Sequence, residues 1–472
     1  MAEHYKPVKY KAWEMTLEER FQEYYPPYTD REAVLEANRC LYCHDAPCMV
    51  ACPTHIDIPT FIKKIATGNT KGSAKRILEA NLLGATCSRV CPVEVLCEGA
   101  CVVRHDSKPI TIGRLQRFAM DYAQEKKLKF FEPGKKNGFK VAVVGTGPAG
   151  LSCAGELAKL GFEVVCYEKK KMAGGLDTYG IVVFREPVEV SLAEVKMVED
   201  LGVKIKTEVT VGQDVKWEDL VEEYDAVFVG AGLGAVPDLS IPGEDLEGVV
   251  DGLDFIEATK VEKLDKINFG NRICVIGAGN TGIDCATIAR RLGSERVTIV
   301  YRRSEAEMPA YHFEYLFALG EGVSFMFLTQ PVEVVGKNGK VEGLKCLRME
   351  LGEPDQSGRR IPVPSKGTEF VIPCDMLIKA IGQKKHADMT SQLAKFGIKT
   401  TKNGYLEVAD DTLRTAHPKI FAGGDCIRSK GEASTVAAVQ DGKIAAAAIH
   451  RQLVGAPSPN EKHIEPVLSP VI

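Results

Sequence analysis

Apolar residues follow two different rhythms along the chain, and each predicts its own architecture. Between residues 31 and 137, Ile58, Phe61, Ile62 and Ile65 recur every three or four positions, the period of one helix face, so a bundle of helices is expected there. The segment from Lys126 to Gly138 is charged and broken by Pro133 and Gly134, as expected of a linker. Beyond it the rhythm changes to short unbroken apolar runs. Val141-Ala142-Val143-Val144, Ile273-Cys274-Val275-Ile276 and Ile420-Phe421-Ala422 predict strands buried on both faces of parallel sheets. Helices are expected after the first two, reaching Leu160 and Leu292, followed by strands that end at Glu168 and run from Arg296 to Tyr301. The predicted class is α/β, with a helical domain in front. Tyr24-Tyr25-Pro26-Pro27-Tyr28 cannot continue a helix, so residues 1–30 are expected to be an arm, and residues 456–472, with Pro466 and Pro470, a tail.

Composition narrows the function classes. At about 150 residues per domain, 472 residues suggest about three. A net charge of -4 and a pI near 6.2 provide no basic field for nucleic acid. No apolar run approaches the ~20 residues of a membrane span, so a cytoplasmic protein without membrane insertion is expected.

The chemistry begins with eight cysteines, Cys40, Cys43, Cys48 and Cys52 and then Cys87, Cys91, Cys97 and Cys101, with Pro53 and Pro92 directly behind two of them. Several thiolates at two- to five-residue separations, with proline after a ligand, suit iron–sulfur clusters, because the sulfurs must converge while the chain turns around them. A disulfide framework would need an oxidising compartment, and the chain has no sign of a small secreted domain. Paired four-cysteine zinc sites remain the competing possibility. Cys153, Cys166, Cys274 and Cys285 lie in apolar segments without ligand-like spacing and are expected to be core residues.

Two glycine fingerprints follow the strands. Gly145-x-Gly147-x-x-Gly150 and Gly277-x-Gly279-x-x-Gly282, with Asn280 and Thr281 inside the second, each sit between a strand and a helix. Such glycines let a dinucleotide pyrophosphate approach the positive end of a helix, which predicts two Rossmann-like dinucleotide-binding domains. Glu168 ends the next strand of the first and suits ribose hydroxyls, whereas Arg302 and Arg303 stand there in the second and suit a 2′-phosphate, favouring NADP(H) over NAD(H). Near the C-terminus Phe421-Ala422-Gly423-Gly424-Asp425 is expected to return the chain to the first domain. The helix expected from Ser434-Thr435-Val436 to His450 would aim its amides at a ligand carbonyl.

Arg39-Cys40-Leu41-x-Cys43, Asp45-Ala46-Pro47-Cys48, Ser88-Arg89-Val90-Cys91-Pro92, Cys97-Glu98-Gly99-Ala100-Cys101, Gly174-Gly175-Leu176 and the Gly424-Asp425 element together resemble the FAD- and NADPH-binding part of dihydropyrimidine dehydrogenase, in particular its separate bacterial subunit. They are also similar to the small subunit of glutamate synthase and to bifurcating ferredoxin:NADP oxidoreductases. The resemblance covers roughly residues 31–453 and implies two [4Fe-4S] clusters with interleaved ligands: Cys40, Cys43, Cys48 and Cys101 for one, and Cys52, Cys91, Cys97 and Gln116 for the other, with Cys87 not a ligand. It implies FAD on Gly145, Gly147, Gly150, Glu168, Gly175, Arg185, Gly424, Asp425, Thr435 and Val436. The NAD(P) domain (269–381) would be inserted in the FAD domain (138–268 and 382–455), behind a cluster domain at 31–137. One departure stands out. The family often has leucine where this chain has Glu186, after Phe184-Arg185.

Hydride transfer between bound cofactors requires alignment and no acid or base, so no catalytic side chain is nominated. The expected function is an NAD(P)H-oxidising electron-transfer subunit, sending single electrons through the clusters to a second catalytic subunit. The nearest case by resemblance is dihydropyrimidine dehydrogenase. The alternatives are a glutamate synthase small subunit, a bifurcating oxidoreductase, the FAD subunit of an aldehyde oxidoreductase and, outside enzymes, a zinc-stapled nucleotide sensor.

Overall fold

The computed structural model describes residues 15–355, 358–428 and 433–458. The first fourteen residues of the expected arm, and the expected tail from 459 onward with Pro466 and Pro470, lie outside the described residues. The chain divides into two compact units. One is built from Tyr25–Thr178, Arg185–Leu233 and Lys385–Ile472, the other from Met1–Tyr24, Tyr179–Phe184 and Gly234–Lys384.

The first unit opens with helices, among them Asp30–Ala37, Pro47–Val50, Ile58–Ala66, Thr70–Ala80, Gly84–Val90 and Ile112–Glu125. Ile58, Phe61, Ile62 and Ile65 are buried against Ile77, Leu115 and Ala119, as the helical spacing predicts. After the linker comes an all-parallel sheet in the order Ile420–Ala422, Ala226–Val229, Lys140–Val144, Glu163–Tyr167 and Lys204–Lys206. Its outermost strand is the late apolar run, with Phe421 in register with Phe228. The long helix Thr435–Val454 then packs on the first fingerprint helix, Pro148–Lys159.

The helices and the sheet share one core, for Leu82, Leu83 and Cys87 are buried with Leu157, Val198 and Phe228. A buried acid joins them further. Helix Gly84–Val90 begins after Leu83, which has no side-chain oxygen to cap it. Glu194, from the helix Val188–Asp200, supplies that cap by accepting the Ala85 and Thr86 amides at 2.7 and 3.2 Å. Burial raises its carboxyl to about 8.

The second unit holds another parallel sheet, in the order Val249–Asp251, Met376–Lys379, Arg272–Ile276, Arg296–Val300 and Ser324–Met326. Beside it stands an antiparallel sheet that the apolar runs do not announce, formed by Thr329–Lys337, Lys340–Pro354, Arg360–Pro364 and Phe370–Pro373. Residues 17–20 of the expected arm form a helix, and Phe21 is buried against Phe184 at 6.2 Å between ring centroids. Among the described residues no helix is long and apolar enough to cross a membrane.

Candidate functional site

The expected cluster ligands come from the turns between the N-terminal helices. Cys40 and Cys43 follow helix Asp30–Ala37, Cys48 lies in helix Pro47–Val50, and Cys101 precedes a short 3-10 turn, Val102–His105. Although 53 residues of chain separate Cys48 from Cys101, all four thiols line one pocket, walled by Ile58, Ile62, Ile110 and Ile112. Burial pushes the Cys48 thiol up to about 12, and the Cys101, Cys40 and Cys43 thiols add to the rise. Four cysteines around one apolar-walled pocket fit a buried metal cluster, whose cationic core would hold them as thiolates. Among the described residues, no three His, Cys, Asp or Glu groups converge as they would on a single ion.

Three of the other expected ligands, Cys52, Cys91 and Cys97, are also neighbours. Burial raises the Cys97 thiol, with further contributions from Glu98, Cys52 and Cys91, and Cys91 also acts on Cys52. Cys91 ends helix Gly84–Val90, and the thiol of Cys87, one turn earlier, is within hydrogen-bond reach of it. Gln116 is buried on helix Ile112–Glu125 and donates Nε2 to the Gly84 carbonyl at 2.7 Å.

At the first fingerprint the glycines are required for two different reasons. Gly145 has φ +90, and a Cβ on Gly150 would lie 2.0 Å from the Gly145 oxygen, so these two let strand and helix meet. Gly147 is different. A Cβ there would meet only the Gly175 Cα, at 4.0 Å, which leaves the approach to the helix amides open. Helix Pro148–Lys159 has no side-chain cap, so those amides are available to an anion. Glu168 is buried at the strand end, its carboxylate accepting Thr146 N and Oγ1 at 3.0 and 2.6 Å and Lys170 N at 2.9 Å.

The C-terminal element reaches the same sheet. Gly424, at φ +74, donates its amide to Asp441 at 2.8 Å, and burial raises the Asp425 carboxyl against the opposing pull of Arg428. Arg428 also binds Asp441, yet its buried Nε has no partner, a donor that fits a polar cofactor beside Asp425. Ser434 caps helix Thr435–Val454, and Thr435 Oγ1 donates to Asp177 at 2.9 Å. Arg185 is half-buried near Tyr25. Glu186, the departure from the family pattern, is buried and accepts the Thr86 hydroxyl at 2.5 Å.

In the second unit, Gly277 and Gly282 repeat the close approach, whereas a Cβ on Gly279 would meet only Pro309, at 3.8 Å. Asn280 begins helix Asn280–Leu292, accepts the Tyr311 amide at 3.3 Å and is followed by Thr281. The arginine pair separates. Arg303 is buried, bridging Asp355 at 2.8 Å and donating Nε to the Arg360 carbonyl at 2.9 Å, while Arg302 is exposed.

Thr54, Asp177, Arg428, Asp441 and Lys443 escaped the sequence reading, although all are polar residues committed to the interior or to the cofactor-facing elements. Lys443 and Asp441 do carry a signal, being charges within the otherwise apolar run of a helix.

Two family descriptions match the chain: the dihydropyrimidine dehydrogenase domain II, 4Fe-4S cluster, over residues 17–128, and the pyridine nucleotide-disulphide oxidoreductases over residues 139–442. The glutamate synthase [NADPH] small chain of Escherichia coli is 36% identical over 456 residues, covering 93% of this chain and 94% of that one. The NAD-dependent dihydropyrimidine dehydrogenase subunit PreT of Escherichia coli is 37% identical over 432 residues, or 91% and 97%. Among solved structures, Mycobacterium tuberculosis FprA in complex with NADPH matches with a TM-score of 0.54 at 22% identity, over 67% of this chain and 85% of that one. Thioredoxin reductase of T. acidophilum matches with 0.53 at 24%, over 67% and 99%. At those identities the two structures speak for the fold alone.

Proposed function

The chain belongs to the pyridine nucleotide-disulphide oxidoreductases that carry a 4Fe-4S domain, together with the glutamate synthase small chains and PreT subunits, and from that premise we propose that it delivers electrons from a nicotinamide to a partner subunit. It is an NAD(P)H-dependent FAD and iron–sulfur oxidoreductase. The observation that carries the finer reading is the gathering of Cys40, Cys43, Cys48 and Cys101 around one pocket, in the same compact unit as the first fingerprint.

In this reading there are two [4Fe-4S] clusters, the second on Cys52, Cys91, Cys97 and the oxygen of Gln116. Bound FAD supplies the conversion of a hydride into single electrons. The residues of the chain bind and orient. Gly145, Gly147 and Gly150 admit the pyrophosphate, Glu168 takes ribose hydroxyls, Gly424 and Asp425 hold the ribityl chain, and the Thr435-Val436 amides face the pyrimidine edge, with Gly175 and Arg185 near the isoalloxazine. Gly277, Gly279, Asn280, Thr281 and Gly282 form the nicotinamide-dinucleotide cradle.

The terminal substrate belongs to the partner. Pyrimidine reduction is the nearest named reaction, since Gln116 stands where the dihydropyrimidine dehydrogenase pattern has glutamine. The test is anaerobic: NAD(P)H should bleach the flavin of the purified chain alone, and pull-down from the native source should recover a second oxidoreductase subunit. A flavin that stays oxidised with both nicotinamides would refute the route, and a chain that alone reduces an organic substrate would refute the partner.

The two relatives carry different nicotinamides in their names, so coenzyme choice needs its own test. Arg302 is the exposed guanidinium at the end of the second strand, and Arg303 is spent on Asp355. A charged hydrogen bond to phosphate contributes about 1.5–3 kcal/mol, so Arg302→Ala should lower kcat/KM for NADPH roughly ten- to hundredfold and leave NADH unchanged. Equal losses with both coenzymes would remove Arg302 from the phosphate site.

A further inference from the structure

Helix Thr435–Val454 starts at the proposed flavin edge, and seven residues along the same face from Val436 it carries a buried lysine. Lys443 donates Nζ to the Ala80 carbonyl at 2.7 Å and to the Thr54 carbonyl at 3.1 Å, both on the N-terminal helical segment. Thr54 in turn places its hydroxyl 3.4 Å from the Cys52 sulfur. Gln440 lies between on that face, buried, with neither amide atom partnered by protein. An ammonium in the interior is costly, and two carbonyls repay part of that cost. Burial lowers the Lys443 ammonium to about 8, against the opposing pull of Glu156.

We propose that Lys443, acting through Thr54, raises the reduction potential of the cluster held by Cys52, Cys91 and Cys97. The inference rests on the two-cluster reading above. One electron entering a [4Fe-4S] core adds one negative charge, and a fixed cation nearby stabilises the reduced form more than the oxidised form. The hydroxyl on the ligating sulfur acts in the same direction, since a hydrogen bond to sulfur disperses its charge. Lys443 and Thr54 are positioning residues, touching no reacting atom themselves.

Redox titration followed by EPR tests this on the anaerobically purified full chain, with Cys43→Ser used to identify which signal belongs to which cluster. Lys443→Met should lower the midpoint of the second cluster by at least a tenfold shift in its one-electron equilibrium, about 59 mV, and leave the first cluster unmoved. Lys443→Arg should restore it. Thr54→Val should lower the same midpoint by a smaller amount, and it keeps the inference testable if Lys443→Met fails to assemble. Two signals whose midpoints ignore both Lys443→Met and Thr54→Val would overturn the inference and spare the two-cluster reading. A wild-type chain with one cluster would overturn both.

Discussion

Replacing Cys48 by serine should remove one cluster, taking iron and sulfide from about eight of each per chain to about four. Cys48 is one of four thiols around an apolar-walled pocket, where burial first, and then the neighbouring Cys101, Cys40 and Cys43, push its thiol up to about 12. Serine keeps the size and loses the ligand: an alkoxide is a far poorer partner for iron than a thiolate. NAD(P)H should still bleach the flavin of this variant, because the fingerprint glycines are untouched, while turnover that depends on the partner is lost. Cys87→Ser separates two candidates for the second cluster's fourth position. Its thiol is close to Cys91, yet the reading assigns that position to Gln116, so iron should be retained. Loss of four irons in Cys87→Ser, with none lost in Gln116→Ala, would hand the position to Cys87.

Gly147→Ala should abolish FAD binding while leaving the fold intact. The added methyl meets nothing nearer than the Gly175 Cα, at 4.0 Å, so the protein itself has room for it. What it would fill is the approach proposed for a pyrophosphate at the uncapped helix Pro148–Lys159. Flavin absorbance after purification should be absent, with the melting temperature of the flavin-free protein unmoved. Gly150→Ala is the contrast, because its methyl would lie 2.0 Å from a backbone oxygen and must push strand and helix apart. That variant should fail to accumulate as folded protein. A Gly147→Ala protein that retains one FAD per chain would remove the first fingerprint from the flavin site.

Much of the site was legible because its signals are local. Strand, glycines and helix lie within a score of residues of one another, and the steric reason for each glycine acts between near neighbours. The cysteine spacing is equally local. The apolar run at 420–422 was expected to rejoin the first sheet, and it pairs there with Ala226–Val229. The antiparallel sheet at 329–373 is not announced in the sequence, since Arg360–Pro364 is mostly exposed and broken by two prolines, and the apolar run Phe370-Val371-Ile372 is only three residues long and alternates between half-buried and exposed.

The arginine pair marks the boundary between the two kinds of information. In the sequence Arg302 and Arg303 are equivalent neighbours at the end of a strand. Only the folded chain brings Asp355 to one of them, from 52 residues away, and leaves the other facing solvent. Lys443 repeats the point over a longer span, for its partners Ala80 and Thr54 lie 363 and 389 residues from it. The sequence by itself determined the α/β class and the two strand–glycine–helix units, because helix period, strand burial and glycine sterics are properties of short segments. The tertiary structure decided which buried charges meet, how Glu194 caps a helix that Leu83 cannot, and which arginine remains exposed, because a charge is paired by whatever the rest of the fold carries to it.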